Sequence, residues 1–228
     1  MKHPRSTSKS LSRSAPNRFG ARSGGQYKLF ETEATLENGL RYRPDFISAD
    51  EEEALLVWIG ALDLSRARGG TKGEYEAKRR HANFGWGYDF KNKRLVPGPP
   101  LPPFLGRFAR RIEKWLTLPR GRVVEALVNE YTPGAGLGWH RDNEPFEHII
   151  GISLAGWVKM RFRPYADKKA MVGIELEPRS AYLMAGPARW DWQHSVAPAR
   201  TLRYSITFRT LPSSMRTPRL PKGAPRRA

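Results

Sequence analysis

Residues 122–142 read RVVEALVNEYTPGAGLGWHRD: a run rich in β-branched and apolar side chains, a Pro/Gly turn, and then His140 and Asp142 two positions apart. The run has the composition of a buried strand, and the turn supplies residues that end a ladder. The pattern recurs downstream in HIIGISLAG (148–156), WVKMRFRP (157–164), GIELEP (173–178), SAYLMAG (180–186) and TLRYSITFRTL (201–211). Most of these runs are bounded by Gly or Pro, and no helical periodicity separates them. The chain after Pro119 therefore predicts an antiparallel β-sandwich or barrel.

Upstream, the pattern is different. LRYRPDFIS (40–48) gives a short strand ending at Pro44, and Ser48-Ala-Asp-Glu51 is a capping box. Leu55, Trp58, Ile59 and Leu62 follow at helical spacing, and a second helix is expected from Pro103 with Leu105, Phe108, Ile112 and Trp115 on one face. Two helices packed on one sheet make the class α+β, mainly β.

The chain has 228 residues, 39% of them hydrophobic, which suits one globular domain with appendages. Its 40 Lys plus Arg exceed its 22 Asp plus Glu, a formal charge of +18 that favours anionic partners. Much of that charge is terminal: residues 1–28 hold seven Lys or Arg and residues 211–228 hold five, with no acid in either. Residues 1–27 and 212–228, polar and Gly/Ser/Pro-rich, are expected to be disordered basic tails flanking a folded domain over 28–211. There is no cysteine, so no disulfide framework, and no apolar run approaches the ~20 residues that span a bilayer. A cytoplasmic, monomeric protein is the expectation, with a nuclear or organellar location left open because a Ser- and Arg-rich, acid-free N-terminus also suits a transit peptide.

His140 and Asp142, at i and i+2 of an extended segment, point to one side and can reach one ion. His194, in WQHSV near a later strand, can join them if the sheet pairs suitably. Two imidazoles and a carboxylate form the facial set that leaves positions open on Fe(II), although the same set serves zinc hydrolases. In RYSITFR (203–209), Arg203, Ser205, Thr207 and Arg209 share one face and Tyr204, Ile206 and Phe208 the other. Two inward arginines are costly without anions, and a bound dicarboxylate matches the planar guanidinium fork. Pairing with a protein carboxylate, or exposure at the end of the sheet, is the alternative.

NEYTPGAGLGWHRD (129–142), ISLAG (152–156), YLMAGPARWDWQHSV (182–196) and RYSITFR (203–209), in this order, resemble the AlkB-like 2-oxoglutarate and Fe(II)-dependent dioxygenases over about residues 36–210. The resemblance implies a double-stranded β-helix, or jelly-roll, core with flanking N-terminal helices. It implies His140, Asp142 and His194 as catalytic iron ligands, with Fe(II), 2-oxoglutarate and O2 as the reacting set. It also implies that Arg203 meets the distal carboxylate of 2-oxoglutarate with Asn129 and Tyr131, and that Arg209 lies nearer the metal. Ser205 departs from the family's founding members, which carry asparagine there, so a looser or water-mediated co-substrate contact is expected at that point.

The activity so implied is oxidative demethylation or dealkylation of N-alkylated bases in DNA or RNA, acting on single strands or flipped bases and releasing an aldehyde, succinate and CO2. The segment RRHANFGWGYDFKNKR (79–94) interleaves cations with Phe84, Trp86, Tyr88 and Phe90, and alternating rings on one face would stack bases. Its structural alternative is a hairpin that packs those rings into the core. Glu144 is expected to orient the substrate base, paired with Arg161 or Arg163. Two rival functions stand beside this one: the same oxygenase chemistry on a protein or tRNA modification, and a catalytically weak nucleic-acid binding protein.

Overall fold

The computed structural model describes residues 34–35, 37–69, 75–89, 91–142 and 144–215. In chain order its elements are β1 (Ala34–Thr35), a 3-10 turn (Glu37–Gly39), β2 (Leu40–Arg43), α1 (Ala49–Gly60), β3 (Ser65–Gly69), β4 (Tyr75–Asp89), β5 (Arg94–Pro97) and α2 (Pro103–Trp115). There follow β6 (Val123–Tyr131), β7 (Leu137–His140), β8 (Ile149–Leu154), β9 (Val158–Pro164), β10 (Val172–Leu176), β11 (Ala181–Met184), α3 (Gly186–Trp190), β12 (Trp192–Val196) and β13 (Arg203–Thr210).

The strands form two antiparallel sheets. The larger has the order β1-β2-β11-β8-β13-β6-β4-β3 with β5 attached to β4, and the smaller has the order β10-β9-β12-β7. On one side of the larger sheet α1 and α2 supply Leu55, Ile59, Leu105, Phe108 and Ile112, which pack with Val128, Ile152, Ile206 and Phe208. On its other side Tyr131, Ile149 and Tyr182 meet Val158, Met160, Phe162, Ile174 and Leu176 of the smaller sheet. Each fully buried aliphatic or aromatic side chain of these two cores contributes roughly 1.5 to 3 kcal/mol. The result is the expected mainly-β, two-sheet jelly roll, with α1 and α2 on one face of the larger sheet.

Helix α1 begins where the capping box predicts: Ser48 Oγ accepts from Glu51 N at 3.2 Å and Glu51 Oε2 accepts from Ser48 N at 3.0 Å. Glu51 also takes both ends of the Arg111 guanidinium, at 2.7 and 2.6 Å, which ties the start of α1 to α2.

Strand β4 corrects the reading of the aromatic segment. Ala82 and Phe84 pack into the helix-side core, Phe84 with its ring centroid 5.7 Å from that of Trp58, whereas Trp86 and Tyr88 pack against the core between the sheets. Gly85, at φ +84°, breaks the alternation between them, and a Cβ there would run into the carbonyl oxygen of Val124. Phe84 is therefore a scaffold residue and not a member of a stacking face; Phe90 lies outside the described residues.

The expected N-terminal tail, residues 1–27, and residues 216–228 of the expected C-terminal tail also lie outside the described residues. Residues 212–215 of that expected tail are described: Met215 N donates to Pro212 O, and Arg122 donates to the carbonyls of Leu211 and Met215. No helix among the described residues is long and apolar enough to cross a membrane.

Candidate active site

His140, at the end of β7, is the register partner of His194 on β12, and their ring centroids lie 4.1 Å apart. The extended chain carries Asp142 to the same side, so that one ligand atom from each of the three residues lies within 4.8 Å of the others. His140 Nδ1 is 2.8 Å from Gly138 O, and because a carbonyl only accepts, that nitrogen is the donor of the pair. His194 Nε2 and Asp142 Oδ2 face each other at 3.4 Å, and Oδ2, though buried, has no hydrogen-bond partner.

The electrostatics favour a cation here. Burial pushes the His194 imidazole down to about 3, against a smaller opposing pull from Asp142, so it is neutral at physiological pH. Burial would raise the Asp142 carboxyl, but Arg209 and the two histidines outweigh it and hold it well below the usual carboxylate range. Two imidazoles and an ionised carboxylate with an orphaned oxygen are the donor set for a divalent metal.

These ligands open onto a cavity of about 410 Å³ between the sheets. One of its walls is the inner face of the larger sheet, where register sets side chains in rows: Arg203 beside Tyr131, Ser205 beside Asn129 and His81, Thr207 beside Leu127 and Asn83, and Arg209 beside Glu125 and Gly85. All of these except Gly85 line the cavity.

Arg203 is 1% exposed; it donates from Nε to Ser153 Oγ at 3.2 Å and lies 4.9 Å over the Tyr131 ring. No carboxylate pairs with it among the described residues, and its Nη1 has no partner. Burial lowers its pKa, and the environment thus penalises a cation that a bound carboxylate would satisfy. Arg209 is spent differently: Nε and Nη2 bind Asp142 Oδ1 and Nη1 binds Glu125 Oε2 at 3.0 Å. The two arginines of one strand face thus take opposite roles, one left with donors to spare and one fully paired with protein. Ser205 leaves room beside Asn129, whose Nδ2 is 3.5 Å from Ser205 Oγ and whose Oδ1 has no partner.

The structure brings His140, Asp142, His194, Asn129, Tyr131, Arg203, Ser205, Arg209 and Tyr88 together in one cavity. It does not bring Phe84, Trp86 or Glu144 there: Phe84 faces the helices, Trp86 is packed in the core, and Glu144 is exposed on the loop after Asp142. Arg161 and Arg163 do not pair with Glu144; they bond Ser195 and Gln193. Four of the further lining residues, outside the expected set, bear on the charge and shape of the site. Glu125 anchors Arg209, and Asn83 donates a side-chain hydrogen bond to Glu125. The Arg79 guanidinium lies 5.9 Å over the Tyr131 ring, and Tyr182 fits its ring over Gly151, where any Cβ would collide with it. The solitary acid in VVEALV was the available signal for Glu125, since an acid amid a buried strand needs a cation.

A family model described as the 2OG-Fe(II) oxygenase superfamily matches residues 39–220. Uncharacterized protein L905 of Acanthamoeba polyphaga mimivirus is 27% identical over 195 residues, covering 76% of this chain and 85% of that protein. The alkylated DNA repair protein ALKBH8 homolog of Arabidopsis thaliana is 29% identical over 199 residues, covering 74% of this chain but only 53% of the longer plant protein. The solved structure of OsALKBH1 shares the fold, with a TM-score of 0.61 and 16% identity over 78% of this chain and 99% of that one.

Proposed function

Because this chain belongs to the 2-oxoglutarate- and Fe(II)-dependent oxygenase superfamily, as an AlkB-like dioxygenase, we propose that it removes N-linked alkyl groups from bases of DNA or RNA. His140, Asp142 and His194 would hold Fe(II), and Arg203 with Tyr131 and Asn129 would hold the distal carboxylate of 2-oxoglutarate. Together with O2 these groups supply oxidation of an N-alkyl C–H bond, with succinate and CO2 as co-products, after which the hydroxylated alkyl group leaves as an aldehyde.

The protein's part is to bind, orient and keep dry. Arg209 occupies Asp142 Oδ1 and leaves Oδ2 toward the metal side. Leu127, Ile149, Met160, Leu176 and Val196 supply apolar wall around the polar rows, which strengthens every charge interaction inside. Tyr88 contributes a ring for the substrate base, and Arg79 and Arg141 add cations to the cavity lining that suit a nucleotide phosphate.

The observation that carries the reading is the coexistence in one cavity of the His-Asp-His set and a buried arginine lacking a carboxylate. The test is to supply Fe(II), 2-oxoglutarate and ascorbate with a methylated single-stranded oligonucleotide or a methylated peptide, and to measure succinate and formaldehyde. Both products from the oligonucleotide, absent in His140→Ala, are expected. Formaldehyde from the peptide alone would move the substrate to protein, and oligonucleotide binding without either product would leave a binding protein.

A further inference from the structure

His140 and Asp142 point inward, so their neighbours Trp139 and Arg141 occupy the outward side of the same segment. On that outer face, β9 presents Arg161 and Arg163, and β12 presents Ser195 and Gln193 as their register partners. Trp139 reaches across β12, so that the Arg163 guanidinium lies 4.1 Å and that of Arg161 5.3 Å from its ring. Both arginines use their Nε on neutral groups, Ser195 Oγ at 3.0 Å and Gln193 Oε1 at 3.2 Å, and neither forms an ion pair with a described residue. On its other side Arg161 is paired with Gly173 of β10, which places no side chain beside it. At the end of the same face Arg141 lies 4.6 Å over the ring of Tyr165, which is 54% exposed. Arg141 also lines the cavity, and it therefore joins this face to the entrance of the active site.

We propose that this track, Arg141–Tyr165–Trp139–Arg163–Arg161, is the docking surface for the single strand flanking the target nucleotide, with phosphates on the two arginines of β9 and a base against Tyr165. The inference rests on the nucleic-acid reading above. Guanidinium groups fixed by a ring and a neutral acceptor keep their remaining donors pre-set for phosphate oxygens. Exposed aromatic rings interleaved with such cations are the arrangement that binds single strands without reading sequence. A protein partner of acidic character would use the cations but would leave Tyr165 without a stacking role.

The test is fluorescence anisotropy of an unmodified, labelled oligothymidylate with the full chain over a range of salt. Each phosphate contact on a single strand contributes about 0.7 to the slope of log K against log salt, so Arg161→Gln/Arg163→Gln is expected to lower the slope by about 1.4. Tyr165→Ala is expected to weaken binding about fivefold or more. The control Arg110→Gln/Lys114→Gln removes the same charge from α2, and its slope is expected to stay near that of the unaltered chain. Turnover of a free methylated nucleoside, which has no flanking phosphates, is expected to be the same in all of them and reports that the variants fold. Equal loss of slope in the β9 and α2 variants, or none in the β9 variant, would overturn this surface while leaving the nucleic-acid reading intact. No binding by the unaltered chain would overturn both.

Discussion

Arg209 donates from two of its nitrogens, Nε at 3.1 Å and Nη2 at 2.6 Å, to a single oxygen of Asp142, Oδ1. The other oxygen is thereby kept for the metal, and Glu125 holds the arginine in that pose from its far end. Glu125→Ala is expected to weaken divalent-metal binding about 10- to 100-fold, the usual cost of losing a group that orients a ligand. Titration of the apoprotein with Co(II), followed by its visible absorption, measures this; unchanged affinity would show that Asp142 is oriented without Glu125.

Arg203 sets function against stability. Its buried cation lacks a carboxylate among the described residues, so Arg203→Met, similar in length and apolar, is expected to raise the stability of the ligand-free protein by about 1 to 2 kcal/mol. The same change is expected to raise the KM for 2-oxoglutarate at least about 100-fold, because the bidentate carboxylate partner is gone. Thermal melts with and without 2-oxoglutarate check both halves: the ligand should raise the Tm of the unaltered chain and not that of the variant. A variant that melts earlier in the absence of ligand would mean that Arg203 is held by the protein itself.

Gly85→Ala is expected to be among the most damaging single-methyl additions in the chain. It places a Cβ against Val124 O and forces a left-handed φ of +84° on alanine, at a cost of about 2 kcal/mol or more. Urea denaturation gives the value. A loss below about 0.5 kcal/mol would show that β4 can shift away from β6 without penalty.

The link between α1 and α2 carries a pH signature. Arg111 is the main group holding the Glu51 carboxyl below its ordinary value, with the Ser48 amide adding to it and partial burial opposing. A carboxyl depressed in the folded state adds stability that is present above its unfolded pKa and is lost as pH falls through the folded one. Glu51→Gln is therefore expected to destabilise the protein by about 1 kcal/mol at pH 7, with the difference shrinking as the solution is acidified below about pH 4.5. Chemical denaturation at three pH values tests it, and a difference that is constant with pH would assign the effect to packing alone.

Much of this site was legible because its residues obey a strict period. RYSITFR alternates polar and apolar, and the structure places Tyr204, Ile206 and Phe208 toward the helices and the other four toward the cavity. His140 and Asp142 were readable as a pair for the same reason. The partnership of His140 with His194 was not local, since it depends on β12 lying between β7 and β9, and only the resemblance of the whole motif series supplied it. The aromatic segment misled where the period itself changed. A sequence shows that residue 85 is glycine, but not that its φ is positive, and the faces of Phe84 and Trp86 depend on that one angle. Glu125 was signalled by its place as a lone acid in an apolar strand, whereas Asn83 and Tyr182 are visible only as neighbours of residues on other strands, through register and close approach.

The reversal at Gly85 also divides one strand between two duties. Before it, Ala82 and Phe84 are bound to the helix layer and constrained by that packing; after it, Trp86 and Tyr88 belong to the interior of the barrel. A substitution at Tyr88 therefore reshapes the cavity wall without touching the layer that α1 and α2 form, so that substrate fit and scaffold packing are set by separate halves of one strand.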